Sequence, residues 1–313
     1  MARYVVRRLG VALSTLGLVV AASFLMVRLA PGDPAEAFAD EVRLSDEQLT
    51  RARHALGLDR PVPLQFAAYL GRLLRGDLGR SYFSQEPVGA LIRSRLRFTL
   101  ELALAAHVLS VAIGIPLGLL AAVRRDSWLD HLAMTSAVAL HAMPRFWIGL
   151  ALLLVFALRL PWFPVIGAGS PGDPLDRLHH LVLPAMAVAL TQAALLARVT
   201  RAGMLEALSQ DFVRTARGKG LAPRHVLIRH GLRSALPPVA TVAGLGLGRL
   251  LGGSVVIETV FVRPGIGTLL VEAMRSRDYP VVQGAILIFA VGIVVLNAAV
   301  DLLYPVFDPR VRS

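Results

Sequence analysis

Cysteine is absent from the 313 residues, which removes disulfides, thiolate metal sites and cysteine nucleophiles together. Lysine is nearly absent as well, since Lys219 is the only one and the basic side of the chain is otherwise written in arginine. Charged residues make up 17%, against about 25% in a soluble domain. A phosphate-holding Gly-x-x-x-x-Gly-Lys-Ser/Thr loop is missing too. Gly218 precedes Lys219, but Val213 stands where the first glycine belongs and Gly220 where the hydroxyl belongs. The eight histidines contain no His-Glu-x-x-His spacing, and the pair His179-His180, just before a span, reads as a solvated loop end rather than a metal site. Ala168-Gly169-Ser170-Pro171-Gly172 lacks the first glycine and the preceding strand of a nucleophile elbow, so it reads as a loop. A self-contained ATPase, a zinc hydrolase and a serine hydrolase are therefore all disfavoured.

What is present is apolar. Hydrophobic residues reach 55% and the mean hydropathy is +0.62, which predicts a membrane protein. A crossing helix needs roughly 20 mostly apolar residues, and six stretches qualify: 9–30, 98–123, 132–157, 181–200, 236–262 and 281–304. The run from Val11 to Val27 exceeds the ~7–15 residues of a signal-peptide core, so the first stretch reads as a span, although Ala35 and Ala37 resemble a cleavage site.

The net charge of +12 is compatible with nucleic acid, anionic lipid or membrane orientation, and its distribution decides. Arg3, Arg7 and Arg8 precede the first stretch, Arg124 and Arg125 follow the second, and Arg310 and Arg312 follow the last. The segment after the fourth carries Arg201, Arg214, Arg217, Lys219, Arg224, Arg229 and Arg233. These groups fall on one side, which the positive-inside rule makes cytoplasmic, as are both termini. No nucleic acid is needed. Residues 31–96 then lie outside as a helical segment. Leu44-Ser45-Asp46-Glu47-Gln48-Leu49 reads as a capping box with a hydrophobic staple, closed by Gly57. Phe66, Tyr69, Leu70, Leu73 and Leu74 make one face of a helix from Pro61 to Gly76.

The cytoplasmic loop 201–235 carries a second short helix. Ser209 is placed to cap it, Leu208 to staple against Val213, Asp211 to favour its positive end and Arg217 its negative end. Gly218 and Gly220 release the chain into a turn. Phe212, Val213 and Ala216 share a face, so an apolar stripe is offered to something outside the bilayer.

At this loop the sequence resembles the permease subunits of binding-protein-dependent ABC importers, whose signature is Glu-Ala-Ala-x-x-x-Gly. Arg214, Thr215 and Ala216 occupy the three lettered positions and Gly220 the glycine. The missing acid, with Arg-Thr-Ala-Arg-x-Lys-Gly-Leu and His230-Gly231-Leu232-Arg233, is similar to the dipeptide/oligopeptide (and nickel) branch. Further words agree in order and spacing: Pro31-Gly32-Asp33-Pro34, Gly76-Asp77-Leu78-Gly79-Arg80-Ser81, Thr99-Leu100-Glu101-Leu102, Pro144-Arg145-Phe146-Trp147, Gly253 to Phe261, Pro264-Gly265-Ile266-Gly267, Arg277 to Gly284, and Asp308 to Arg312.

The resemblance implies an all-α, type I importer permease in a prokaryotic cytoplasmic membrane. Residues 1–30 are then the first helix, 31–96 the outer segment, 97–304 the transmembrane core and 305–313 a tail. It implies that Asp211, Phe212, Val213, Arg214, Thr215, Ala216, Arg217, Lys219, Gly220 and Leu221 engage a separate ATPase. No cofactor is expected on this chain, ATP and Mg being bound by two ABC ATPase partners. A homologous second permease and an extracytoplasmic solute-binding protein complete the complex, and the expected solute is a peptide. Nickel chelates, glutathione or sugars on the same machinery, and a self-sufficient carrier or channel, are the alternatives.

Charged groups inside spans are costly and face protein or water. Arg249, near mid-membrane, is a candidate for lining the pathway and attracting an anionic group such as a peptide carboxylate, with an interior ion pair or a wet cavity of no selective value as the alternative. Glu258, nine residues on, is half a turn away and a poor partner for it, and is expected to steady the outer end of that helix. His141 is a further pathway candidate, though it reads first as an interhelical hydrogen bonder, as do Glu101, His107, Gln192, Asn297 and Asp301. Gly244, Gly248 and Gly252 recur every fourth residue and predict a close helix seam. Pro116 and Pro144 are expected to kink their helices.

Overall fold

The computed structural model describes residues 2–29, 54 and 59–307, with the backbone alone at 2–9, 27 and 301–307. The capping box at Ser45 and Gln48, the helix end at Gly57, Pro31–Pro34, the side chain of Asp301 and the terminal Asp308–Arg312 lie outside those described parts. Every regular element among the described residues is helical. They are α1 (Ala2–Leu29), α2 (Val62–Leu74), α3 (Val88–Val123), α4 (Trp128–Ala142), α5 (Arg145–Arg159) and α6 (Pro174–Ser209). After these come α7 (Asp211–Gly218), α8 (Pro223–Val260), α9 (Ile266–Arg275) and α10 (Tyr279–Phe307).

Among the described residues, four helices, α3, α6, α8 and α10, are long and apolar enough to cross a membrane. The pair α4 and α5 makes a fifth if counted as one broken span, and the apolar stretch Gly10–Met26 of α1 is shorter. The third span expected over 132–157, with a kink at Pro144, is broken more sharply than a kink: α4 and α5 meet at 110°. Pro144 is the cause, because it has no amide to donate and drives the residue before it out of the helical region. Met143 accordingly sits extended, at φ −76° and ψ 138°. Pro116 has a milder effect, since α3 runs through it without interruption. The expected 181–200 span is also only the middle of a longer helix.

The chain divides into two compact units, residues 1–99 with 264–292, and residues 100–263 with 293–313. In the first unit, α2 begins after Pro61 as expected and ends before Gly76, whose φ is +74°. Its apolar face closes a small core: Tyr69, Phe66, Leu70 and Leu73 surround Val20, Phe24 and Leu287. Leu74 breaks the pattern and is exposed. A second core joins Val88 and Ile92 of α3 to Ile266, Leu269, Val282 and Ala285.

The short words of this unit meet one another. Ser81 donates to Asp278 at 2.5 Å, the Tyr82 amide donates to the same carboxylate at 3.2 Å, and Asp278 is buried. Burial pushes the Tyr82 phenol up to about 12. Thr99 Oγ1 accepts the Ile266 amide at 2.9 Å, satisfying one of the donors that the start of α9 leaves open.

In the second unit α6 is the central post, and its small residues let neighbours approach. Leu102 and Ala106 of α3, Leu153 and Ala157 of α5, and Leu250 and Ile257 of α8 close around Ala185, Ala187, Val188 and Ala189. The backbones of α3 and α6 lie close together. A Cβ on Gly114 would stand 2.7 Å from the Ala193 carbonyl oxygen, and one on Gly118 would overlap the carbonyl of Ala197. Backbone cannot step aside as a flexible side chain can. Gly118→Leu is therefore expected to abolish stable insertion, measured as loss of detergent-extractable monodisperse protein, whereas Gly10→Leu, where nothing lies within 4 Å, leaves the yield unchanged.

Candidate functional site

The candidate site is α7 and the chain around it, all within the second unit. A lone helix of eight residues is unstable in water, so its order comes from its ends and its buried face. One residue, Gln210, separates α6 from α7. It sits extended at φ −75° and ψ 151° and makes no side-chain cap. The expected cap by Ser209 is corrected: Ser209 is the last residue of α6 and donates to the Glu206 carbonyl at 2.8 Å. Asp211 lies in the first turn and Arg217 in the last, as the helix dipole favours. Arg214 approaches Asp211 at 3.7 Å, an exposed pair of little energetic weight.

The C-terminal end is a Schellman motif. The Gly220 amide donates to the Arg217 carbonyl at 2.9 Å and the Leu221 amide to the Ala216 carbonyl at 3.4 Å. Gly220 holds φ at +76°, a left-handed setting that glycine adopts without a steric cost.

The apolar stripe divides, which corrects the expectation that all of it faces outward. Val213 is 0% exposed and Ala216 5%; both turn inward against Val226 and Leu208, and the Leu208–Val213 packing is the expected staple. Phe212, 44% exposed, turns outward. It borders a cavity of about 500 Å³ with Glu206, Gln210, Ser234 and Pro238, and a second one with Arg229, His230 and Arg233. The outer surface thus presents Phe212 and Leu221 among the cations Arg214, Arg217 and Lys219, with Asp211 and Thr215 exposed beside them.

Beneath α7 the helices are held close. Met204 is fully buried with Ala122 and Ala235, and a Cβ on Gly231 would stand 3.0 Å from the Met204 methyl. Arg201 of α6 forks onto the buried Asp130 of α4 through two bonds of 2.6 Å. Asp130 also accepts the Asp126 amide at 3.0 Å, while Ser127 caps α4 by accepting the Asp130 amide at 3.3 Å. Sequence reading missed this clamp. Its available signal was Ser127-x-x-Asp130, a capping-box spacing, together with an arginine that need not have been only a marker of orientation.

The pathway candidates fall in different surroundings. Arg249 is exposed and borders a cavity of about 460 Å³ with Gly248, Gly252 and Asn297. Glu258 is fully buried near Arg263, whose charge it offsets, rather than beside Arg249. His141 is exposed, with its ring Nδ1 3.3 Å from the Thr191 carbonyl. Glu101 joins three elements, pairing with Arg177 of α6 and with buried Arg263 at 2.9 Å. Gln192 donates to the Val242 carbonyl at 3.3 Å. The His107 Nδ1 is buried and finds no partner among the described residues. The glycine seam is present in two of its three steps: Gly244 lies against Val300 and Gly248 against Asn297, while Gly252 faces open space.

Residues 114–313 match the family model described as the binding-protein-dependent transport system inner membrane component, and residues 1–103 match its N-terminal companion. The chain is similar to the di/tripeptide transport system permease protein DppB of Pseudomonas aeruginosa (strain UCBPP-PA14), with 41% identity over 333 residues, covering 100% of this chain and 99% of that one. It is similar to the glutathione transport system permease protein GsiC of Escherichia coli (strain K12), at 42% over 313 residues with the same coverage. Among solved structures, the inward-facing MetNI methionine ABC transporter aligns at a TM-score of 0.57 and 16% identity, covering 69% of this chain and 96% of that one. At that identity the likeness concerns the fold.

Proposed function

The chain belongs to the family of binding-protein-dependent transport system inner membrane components, and from that premise we propose that it is the permease subunit of an ABC importer carrying peptides inward. The observation that carries this reading is full-length similarity to peptide and glutathione permeases, joined to a compact surface knob, α7, that presents Phe212 and Leu221 among cations. Six spans cross the membrane, with α1 as the first and the bent pair α4 and α5 as the third. Both termini and α7 lie in the cytoplasm, where the arginine distribution puts them. Two ATPase subunits bind ATP and Mg and hydrolyse the nucleotide, α7 seats in their surface, and a second permease completes the pathway. A solute-binding protein delivers the peptide from outside.

Mechanically, closure of the ATPase pair moves α7. That motion passes into α6 and α8 through the buried Val213–Val226 contact and the Met204 packing, because close-packed side chains transmit displacement instead of absorbing it. Alternating access follows. The test is uptake by liposomes: labelled dipeptide should enter only with ATP, both ATPases, the second permease and the binding protein present. Uptake by this chain alone under an ion gradient would favour a secondary carrier.

A further inference from the structure

On the reading that the chain is an importer permease, we propose that Arg145 and Arg249 together form a site for the free carboxylate of the solute. Arg145 is the first residue of α5, immediately after the Pro144 break. Its guanidinium reaches across to α8 and fills the space that a Cβ on Gly253 would need. Gly253 follows Arg249 by four residues, so the two positions share one face of α8, one turn apart. Arg145 thus approaches the face of α8 that carries Arg249.

Arg249 lies about 24 Å along the helix from Arg233 and about 16 Å from Val260, which is deep in any span. Cations at that depth do not face lipid. Among the described residues neither guanidinium makes an ion pair. Yet the space before Arg249 is open: Gly248 and Gly252 leave the wall low, a Cβ on Gly252 would meet no other part of the fold within 4 Å, and Asn297 borders the same cavity of about 460 Å³. A cation lining an open cavity, with a second cation reaching the same face of α8 and no acid paired to either among the described residues, is complementary to an anion that arrives and leaves. Bidentate guanidinium recognition suits a carboxylate, and the Asn297 amide is placed to address a neighbouring polar group of the solute.

The bend at Pro144 is what makes this possible. A straight third span would carry Arg145 onward in line with α4; the 110° turn brings it to α8 instead. Arg145 was legible in the sequence only as part of Pro144-Arg145-Phe146-Trp147, with no role.

The test uses the assembled complex without its binding protein, so that the delivery step does not select the solute. Retention of labelled dialanine and of dialanine amide is compared on wild type, Arg145→Gln, Arg249→Gln and Arg145→Lys. The wild type should hold the free dipeptide at least tenfold tighter than the amide. Either glutamine variant should erase that preference, while Arg145→Lys keeps part of it. Assembly of each complex is checked in parallel by gel filtration, so that a lost preference is separated from lost protein. Equal retention of acid and amide by wild type, no retention of either, or a preference surviving both glutamine variants would overturn the site; equal retention is the result expected if an acid of the second permease neutralises the pair. Failure here with ATP-driven uptake intact leaves the permease reading standing, whereas uptake independent of ATP strikes that reading itself.

Discussion

Phe212→Asp is expected to cut ATP-driven uptake by at least tenfold while leaving insertion and assembly of the permease pair unchanged. The side chain is nearly half exposed, so its loss removes little from the fold. If α7 seats in an ATPase surface, Phe212 is its largest apolar anchor, and aromatic anchors of interfaces cost ≥2 kcal/mol when removed, about a 30-fold effect. A carboxylate placed there adds a desolvation cost. Val213→Asp is the informative contrast. That side chain is fully buried against Val226 and Leu208, so an unpaired charge there disorders the loop itself and should increase its cleavage by trypsin, which Phe212→Asp should not. The same reasoning separates two changes at Gly220. Asparagine tolerates the left-handed backbone and should transport nearly normally, whereas valine there is strained and should lose coupling. Uptake and ATPase activity measured side by side read all four.

Asp130→Ala is expected to lower stability by about 3 kcal/mol, because removing one partner of a buried pair leaves the other charge uncompensated. The lost groups are a two-bond fork to Arg201 and the acceptor for the Asp126 amide. Thermal unfolding of the detergent-solubilised protein should fall by several degrees. Arg201→Lys, with Asp130 in place, should lose a smaller share of stability, since a point charge keeps the pairing but cannot reproduce the planar fork. A double change, Asp130→Ala with Arg201→Ala, should be less damaging than the sum of the two single changes, as linked partners require. Equal and additive losses would mean that the pair does not hold α4 to α6.

The helices were legible because apolar runs of about 20 residues carry their own signal, and α2 because its face repeats at helical spacing and Pro61 and Gly76 bound it. The fracture of the third span was legible at Pro144 but not its size. A proline predicts a break, while the 110° turn depends on Met143 adopting an extended backbone and on what α5 then packs against. At the candidate site, the staple of Leu208 on Val213 was readable from pattern. Which member of Phe212, Val213 and Ala216 faces inward was not, because a stripe on a short helix does not say whether the protein or a partner covers it. Ser209 illustrates the limit at helix ends: a good capping residue was drawn into the preceding helix, leaving Gln210 at the corner. Pairs distant in sequence, such as Asp130 with Arg201 and Arg177 with Glu101, are fixed by tertiary approach alone.

The chain's lack of cysteine allows the central claim to be tested without background. Arg214→Cys places one thiol on the outward surface of α7, and a reagent that is thiol-directed at one end and photoreactive at the other is attached to it and irradiated in the assembled complex with and without ATP. The account predicts an adduct between this chain and an ATPase subunit, with a yield that changes with nucleotide. Labelling of that thiol by a membrane-impermeant reagent added from outside, or no adduct with the ATPase in any nucleotide state, would contradict it.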